Sequence, residues 1–264
     1  MAEPSIAPDP GTPPAWMKPL RAPLEILGDL SIFFAQSAAA IFRPPYRVGL
    51  LFSQLEFMAY GSLFVVGLTG LFTGMVLALQ TVYAFSLFNA QSLVGATVEL
   101  SLARELAPVF TCIVLVARVG SAVATELGTM RVTEQIDALK ALATEPVQYL
   151  FVPRVISGIV MLPFLVILGD ALGIGGGYLV AVKLLGVNAV VYKQNTFQFI
   201  NMQDLWSGVI KAGTFGLILT LTGCVRGYYT VGGAEGVGRS TTRAVVSASL
   251  IILLTDFFLT KLLL

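Results

Sequence analysis

Residues 126–146, ELGTMRVTEQIDALKALATEP, hold six of the chain's 31 Asp, Glu, Lys and Arg residues: Glu126, Arg131, Glu134, Asp137, Lys140 and Glu145. Long apolar segments rich in Gly, Leu, Val and Phe run on either side. The spacing predicts a helix over about 130–144, with Val132, Ile136, Leu139 and Ala143 on one face and Glu134, Gln135, Asp137 and Lys140 largely off it. Thr133 is placed to cap its start and Asp137 lies near the positive end of its dipole. Pro146 stops it and suits the first turn of the next helix. A helix this short does not cross a bilayer. It is either a solvated helix lying on the membrane or a surface for contact with something outside it.

Composition sets the class. Charged residues make up 12% of the 264, about half the roughly 25% usual in soluble domains. The hydrophobic share is 56% and the mean hydropathy +0.85. A soluble protein this apolar would expose large sticky patches, so a multi-pass, all-α membrane protein with one membrane domain is expected. There is no histidine, which removes the commonest metal ligand and general base. Cys112 and Cys224 form no CxxC pair and read as small buried hydrophobes. No catalytic or metal site is read. No G-x-x-x-x-G-K-[ST] stretch occurs, so nucleotide energy, if used, is bound by another chain. A net charge of +1 gives no bulk attraction to nucleic acid.

Prolines at 4, 8, 10, 13 and 14 mark residues 1–19 as a disordered tail without the features of a signal peptide. Within 20–42, Leu24, Leu27, Leu30 or Ser31, Phe34, Ala38 and Ile41 follow helical spacing, but Glu25 and Asp29 make a span costly. An interfacial helix avoids that cost. Arg43-Pro44-Pro45-Tyr46-Arg47 breaks it. Five spans follow at about 50–81, 98–125, 147–182, 205–228 and 242–264. Gly70, Gly74 and Ala78 form a small-residue stripe for close helix packing, and the Gly173–Gly177 run reads the same way. Pro153 and Pro163 interrupt the third span's hydrogen-bond ladder. Ser240, Thr241 and Thr242 offer hydroxyls to cap the fifth. With the N-terminus in the cytoplasm, eleven of the 16 Lys and Arg residues fall on that side, with 126–146, and the C-terminus lies outside.

The 126–146 stretch closely resembles the signature of the MlaE/YrbE permeases, membrane subunits of ABC transporters associated with MCE proteins. SLARELAPV (Ser101–Val109), VPRVISGI (Val152–Ile159), GVGRSTTRAVV (Gly236–Val246) and TDFFLT (Thr255–Thr260) are similar to further blocks of that family, so the resemblance covers roughly residues 20–264. Lys140, where an acid is common, and Glu145, where Asp-Pro is usual, depart from it. The resemblance implies an N-terminal interfacial helix, five transmembrane helices and a permease paired with a second copy of itself. It implies a cytoplasmic ATPase, which would hold ATP and magnesium, docked on the helix after the second span. Arg131, Glu134, Gln135, Asp137 and Leu139 would then be coupling residues. It also implies a periplasmic MCE-domain partner, lipid as cargo, and the bacterial inner membrane as location, with a periplasmic C-terminus.

At about 1.5 Å per residue, Arg104 and Glu105 lie roughly 10 Å below the outer end of the second span. Lys211 is about as deep in the fourth span and Asp256 roughly 12 Å down in the fifth. Ionisable groups within a membrane face a partner or a wet cavity. The layer is therefore either an ion-pair network between helices or the polar mouth of a pocket, where Arg104 and Lys211 meet a lipid phosphate and Glu105 and Asp256 orient them. The RELAP and TDFFLT blocks resemble the family's polar residues around its lipid cavity. Leu77, Phe85 and Phe88 would supply walls for acyl chains. Glu56, Arg118, Glu126 and Asp170 read as structural. The function expected is lipid transport, probed against an ion-coupled carrier using Glu105, Asp170 and Asp256 and, more distantly, a Ser–Lys hydrolase.

Overall fold

The computed structural model describes residues 18–41, 47–199 and 201–263, with side-chain surroundings from residue 28 onward and not at Phe199. The expected tail before Lys18 and the Arg43–Tyr46 break lie outside the described residues. All regular structure among the described residues is helical. An N-terminal helix α1 (Lys18–Ile41) precedes five helices long and apolar enough to cross a membrane. The first is α2 (Val48–Ser86). The second, Gln91–Val132, is built from α3 (Val94–Ser101), α4 (Ala107–Leu115) and α5 (Ser121–Val132) joined by π-helical turns at Leu102–Leu106 and Val116–Gly120. A short α6 (Gln135–Ala141) leads to the third, Val147–Leu184, which contains α7 (Val152–Tyr178) between two π turns. After α8 (Ala189–Phe199) come α9 (Met202–Tyr228) and α10 (Gly233–Leu263). These spans run past the expected boundaries. The 39 residues of α2 rise about 58 Å, nearly twice a hydrocarbon core of roughly 30 Å, so the helix is longer than a single crossing needs.

Small residues set the packing. A Cβ on Gly70 or Gly74 would overlap the carbonyl of Gly169 or Gly173, so α2 and α7 run parallel in backbone contact. Gly158 and Gly216 bring α7 and α9 together in the opposite sense, and Gly223 and Gly227 seat α9 on Gly120 and Ala124. The glycine stripe and the Gly173–Gly177 run thus serve helix contact, as their spacing predicts. Pro163 sits inside an unbroken α7, and Gly213 faces both its ring and the Ile159 carbonyl, whose i+4 donor the proline lacks. The starts of α2, α7 and α10 and the end of α9 gather at the end of the bundle that carries α6. The far end carries α8.

Several local expectations change. Thr133 is not a cap: its Oγ1 bonds the Thr129 carbonyl at 2.8 Å, and Glu134 precedes α6 in the left-handed conformation (φ 59°). Ala143, also left-handed (φ 53°), ends α6 early, its N–H bonding Lys140 O while Thr144 N–H bonds Leu139 O. Of the expected α6 face, Ile136 is fully buried and Leu139 partly, but Val132 and Ala143 are exposed. Thr241 and Thr242 lie inside α10, bonding the Val237 and Gly238 carbonyls, because the helix begins at Gly233. On α1, Phe33, Ser37 and Ala40 face the bundle, one position off the expected stripe, and Phe34 is exposed. Phe33 stacks on Phe151 at 5.0 Å and meets Tyr228 edge-on at 5.5 Å, which ties α1 to the α6 end. The apolar spacing assigns no element to 189–199. Asn188 Oδ1 caps α8 there through the Val190 N–H at 2.9 Å, and α8 seats Tyr192 and Thr196 over Gly95 of α3. Burial, and secondarily the Glu99 charge, push the Tyr192 phenol up to about 12.

Candidate functional site

At the α8 end the charged residues meet. Pro108 has no N–H to give the Arg104 carbonyl, and the chain passes Arg104 and Glu105 through the π turn Leu102–Leu106. The Lys211 ammonium takes up that carbonyl at 3.1 Å. It also bonds Glu105 Oε2 and Thr260 Oγ1, each at 2.6 Å. Asp256 Oδ1 stands 3.1 Å from the same nitrogen, without hydrogen-bond alignment. Thr260 in turn donates within α10 to the Asp256 carbonyl at 2.8 Å and lies within hydrogen-bond reach of Glu105 Oε1 at 3.1 Å. The Lys211 side chain is 1% exposed. Three helices are thereby joined at one ammonium.

Arg104 pairs with neither Glu105 nor Asp256, the two acids of the expected layer, but with an acid outside it. Its Nε and Nη2 meet Asp204 Oδ1 at 2.7 and 2.6 Å. Asp204 Oδ2 accepts from the Asn201 N–H at 3.1 Å, so one carboxylate starts α9 and holds the guanidinium. Lys211 is enclosed, while the Arg104 and Glu105 side chains are 35% and 37% exposed. A cleft of about 80 Å³ opens beside them, lined also by Gln203, Asp204, Ser207, Thr260 and Leu263. The sequence reading missed Asp204 and Thr260. The Asn201-x-x-Asp204 capping spacing was the available signal for the first. Leu77, Phe85 and Phe88 do not line this cleft. Leu77 and Phe85 pack in a separate apolar cluster with Val82, Val98 and Tyr192, and Phe88 is exposed.

At the other end, the Arg131 guanidinium binds both oxygens of Asp137, at 2.7 and 2.9 Å, and so clasps α5 to α6. The Arg131 hydrogen bond holds Asp137 below its ordinary value of 3.8, with Lys140 adding to it. Lys140 lies 3.4 Å from Asp137 and 5.6 Å from the Tyr228 ring centroid, and Tyr228 first, then Asp137, hold it above its ordinary value. A lysine at this position therefore has two local partners where an acid would face Asp137. Gln135 bonds Thr133 at 3.0 Å, and Glu134 is exposed. Glu126 pairs not with α6 but with Arg154 of α7, at 2.8 Å. Arg118 bonds Ser62 at 2.7 Å, its guanidinium filling the space a side chain at Gly61 would need. Asp170 is buried with Oδ1 unbonded, as are both oxygens of Glu99, an acid the sequence reading passed over.

Five apolar spans with a charged joint at one end and a clasped ionic helix at the other describe a multi-pass membrane protein. Residues 51–262 match the family described as Permease MlaE, and the chain belongs to that family. It is 47% identical over 236 residues to a probable ABC transporter permease protein of Rickettsia conorii, covering 89% of this chain and 91% of the relative. The intermembrane phospholipid transport system permease protein MlaE of Haemophilus influenzae is 38% identical, over 86% and 88% of the two chains. The chloroplastic protein trigalactosyldiacylglycerol 1 of Arabidopsis thaliana is 39% identical, over 79% of this chain and 59% of its own. The chain is thus an ABC-type permease and not an enzyme.

Proposed function

We propose that this chain is the membrane subunit of an ABC transporter that moves phospholipid between the bacterial inner membrane and a periplasmic MCE-domain carrier. Two copies would work with a separate ATPase that holds ATP and magnesium. The observation that carries this reading is α6. Its Ile136 and Leu139 are rooted in the same apolar cluster as Leu150, Phe151 and Tyr228, while Glu134, Gln135 and Lys140 face out. A displacement applied to that polar side is carried to the third and fourth spans through packed side chains. Basic residues favour the α6 end as cytoplasmic. At the opposite end Arg104, the more exposed cation, would meet the lipid phosphate, with Asp204 fixing its fork and Lys211 holding the helices. The Haemophilus relative's role in phospholipid transport supports the cargo.

Purification with native partners, with bound lipid identified by mass spectrometry, tests the assembly: an ATPase and a phospholipid are expected, and absence of either overturns it. Glu134→Lys tests the joint. Reversed charge at an exposed contact is expected to lower ATP-driven lipid transfer about tenfold, or to release the ATPase. Normal ATPase binding together with normal transfer would overturn the coupling role of α6.

A further inference from the structure

A second polar cleft lies at the α6 end, between α1 and the last turns of α9. It encloses about 250 Å³, some three times the volume beside Lys211, and is lined by Asp29, Leu30, Thr222, Val225, Arg226 and Tyr229. Its charges are unspent. Arg226 is half-buried and donates to Ser247 Oγ at 3.2 Å. Arg243 of α10 and Asp29 of α1 both act on it through charge, but no ion pair joins Arg226, Arg243 or Asp29 to any partner among the described residues. Thr222, 1% exposed, lines the cleft and its Oγ1 has no hydrogen-bond partner. A buried hydroxyl without a partner is costly, and a guanidinium at a membrane boundary seeks phosphate.

We infer that this cleft binds the headgroup of a phospholipid from the leaflet on the α6 side, the phosphate on Arg226 and a headgroup amine at Asp29. The Thr222 hydroxyl donates to a phosphate oxygen. Leu30 and Val225 give the glycerol and upper acyl segment an apolar wall. Arg226 lies two residues before the end of α9, where a headgroup stands, not at the depth of acyl chains. The opposed charges of Arg226 and Asp29 match a zwitterionic phosphoethanolamine lipid better than a purely anionic one. The site is separate from the Arg104 cleft, about 15 residues or roughly 22 Å along α9 from Lys211, and does not depend on the direction of transport.

Native mass spectrometry of the full chain tests this, with phosphatidylethanolamine, phosphatidylglycerol, soluble glycerophosphoethanolamine and inorganic phosphate as probes. The wild type is expected to retain one phosphatidylethanolamine more than Arg226→Gln, whose affinity for both lipids falls about tenfold. Asp29→Asn is expected to keep phosphatidylglycerol and lose the preference for phosphatidylethanolamine. If Arg226→Gln does not fold, Arg226→Lys and Thr222→Val carry the test, each lowering retention while leaving the fold intact. Unchanged lipid retention in the folded variants overturns the inference. So does equal loss of both lipids in Asp29→Asn, and so does Arg226-dependent retention of inorganic phosphate without Arg226-dependent retention of either lipid, which would make this an ion site. Because retention is read without ATP, a failure here leaves the transport proposal standing.

Discussion

Lys211 touches a backbone carbonyl, two carboxylates and a hydroxyl from a position 1% exposed. Removing its charge leaves Glu105 and Asp256 facing each other without their shared cation. Breaking a fully buried pair costs about 3–5 kcal/mol, and the partial exposure of both acids reduces that figure. Lys211→Met is therefore expected to lower the thermal midpoint in detergent. Adding Glu105→Gln should return part of the loss, because the stranded charge is then gone. A Lys211→Met protein as stable as the wild type would show that the ammonium does not join the helices. The approach of Arg104, Glu105, Lys211 and Asp256 to one layer was legible from helix rise and span position alone. Which base meets which acid was not. Asp204 meets Arg104 because it opens α9 within reach of the π turn that carries the guanidinium, and rotation about a helix axis is not encoded in depth.

At the scale of elements, α2 and α7 form the most extensive helix contact among the described residues, and it is made through backbone. Gly74→Val places branched carbons on the Gly173 carbonyl. Neither main chain can retreat without parting the helices, so a loss of about 1–3 kcal/mol is expected in thermal unfolding. Gly175→Ala, one residue from Gly176 but with open space around it, is the control and should cost nothing. The glycine stripe was readable because close packing demands small residues at a fixed spacing. The ends of α6 were not. Glu134 and Ala143 both adopt left-handed backbone with side chains that disfavour it. At Glu134 it accompanies the clasp of Asp137 on Arg131 and the burial of Ile136. At Ala143 it accompanies the closing bonds of its own N–H to Lys140 O and of Thr144 N–H to Leu139 O, and the identity of the bending residues reveals none of these contacts.

For the whole molecule, orientation has a direct readout. Cys112 and Cys224 are both fully buried, so introduced thiols are read against a low background. Leu142 beside α6 and Val190 in α8 are 76% and 72% exposed at opposite ends of the bundle. Leu142→Cys is expected to react with a membrane-impermeant maleimide only from the cytoplasm, and Val190→Cys only from the other side. The reverse pattern would invert the proposed topology.

The stretch at 126–146 determined a great deal by itself. A charged island between apolar runs cannot stay in hydrocarbon, so its composition alone fixes a non-spanning segment between two spans, and its motif carries the family resemblance. The sequence likewise determined the number of spans and the small-residue stripe, since both follow from transfer free energy and steric size, summed locally along the chain. Only the tertiary structure decided that the island's helix is seven residues long, clasped by Arg131 and rooted by Ile136. It alone decided that Arg104 belongs to Asp204, and that Asp29, Thr222 and Arg226 share a cleft. These are contacts between residues up to about two hundred positions apart, and their geometry is set by how helices rotate and tilt to bury their smallest faces.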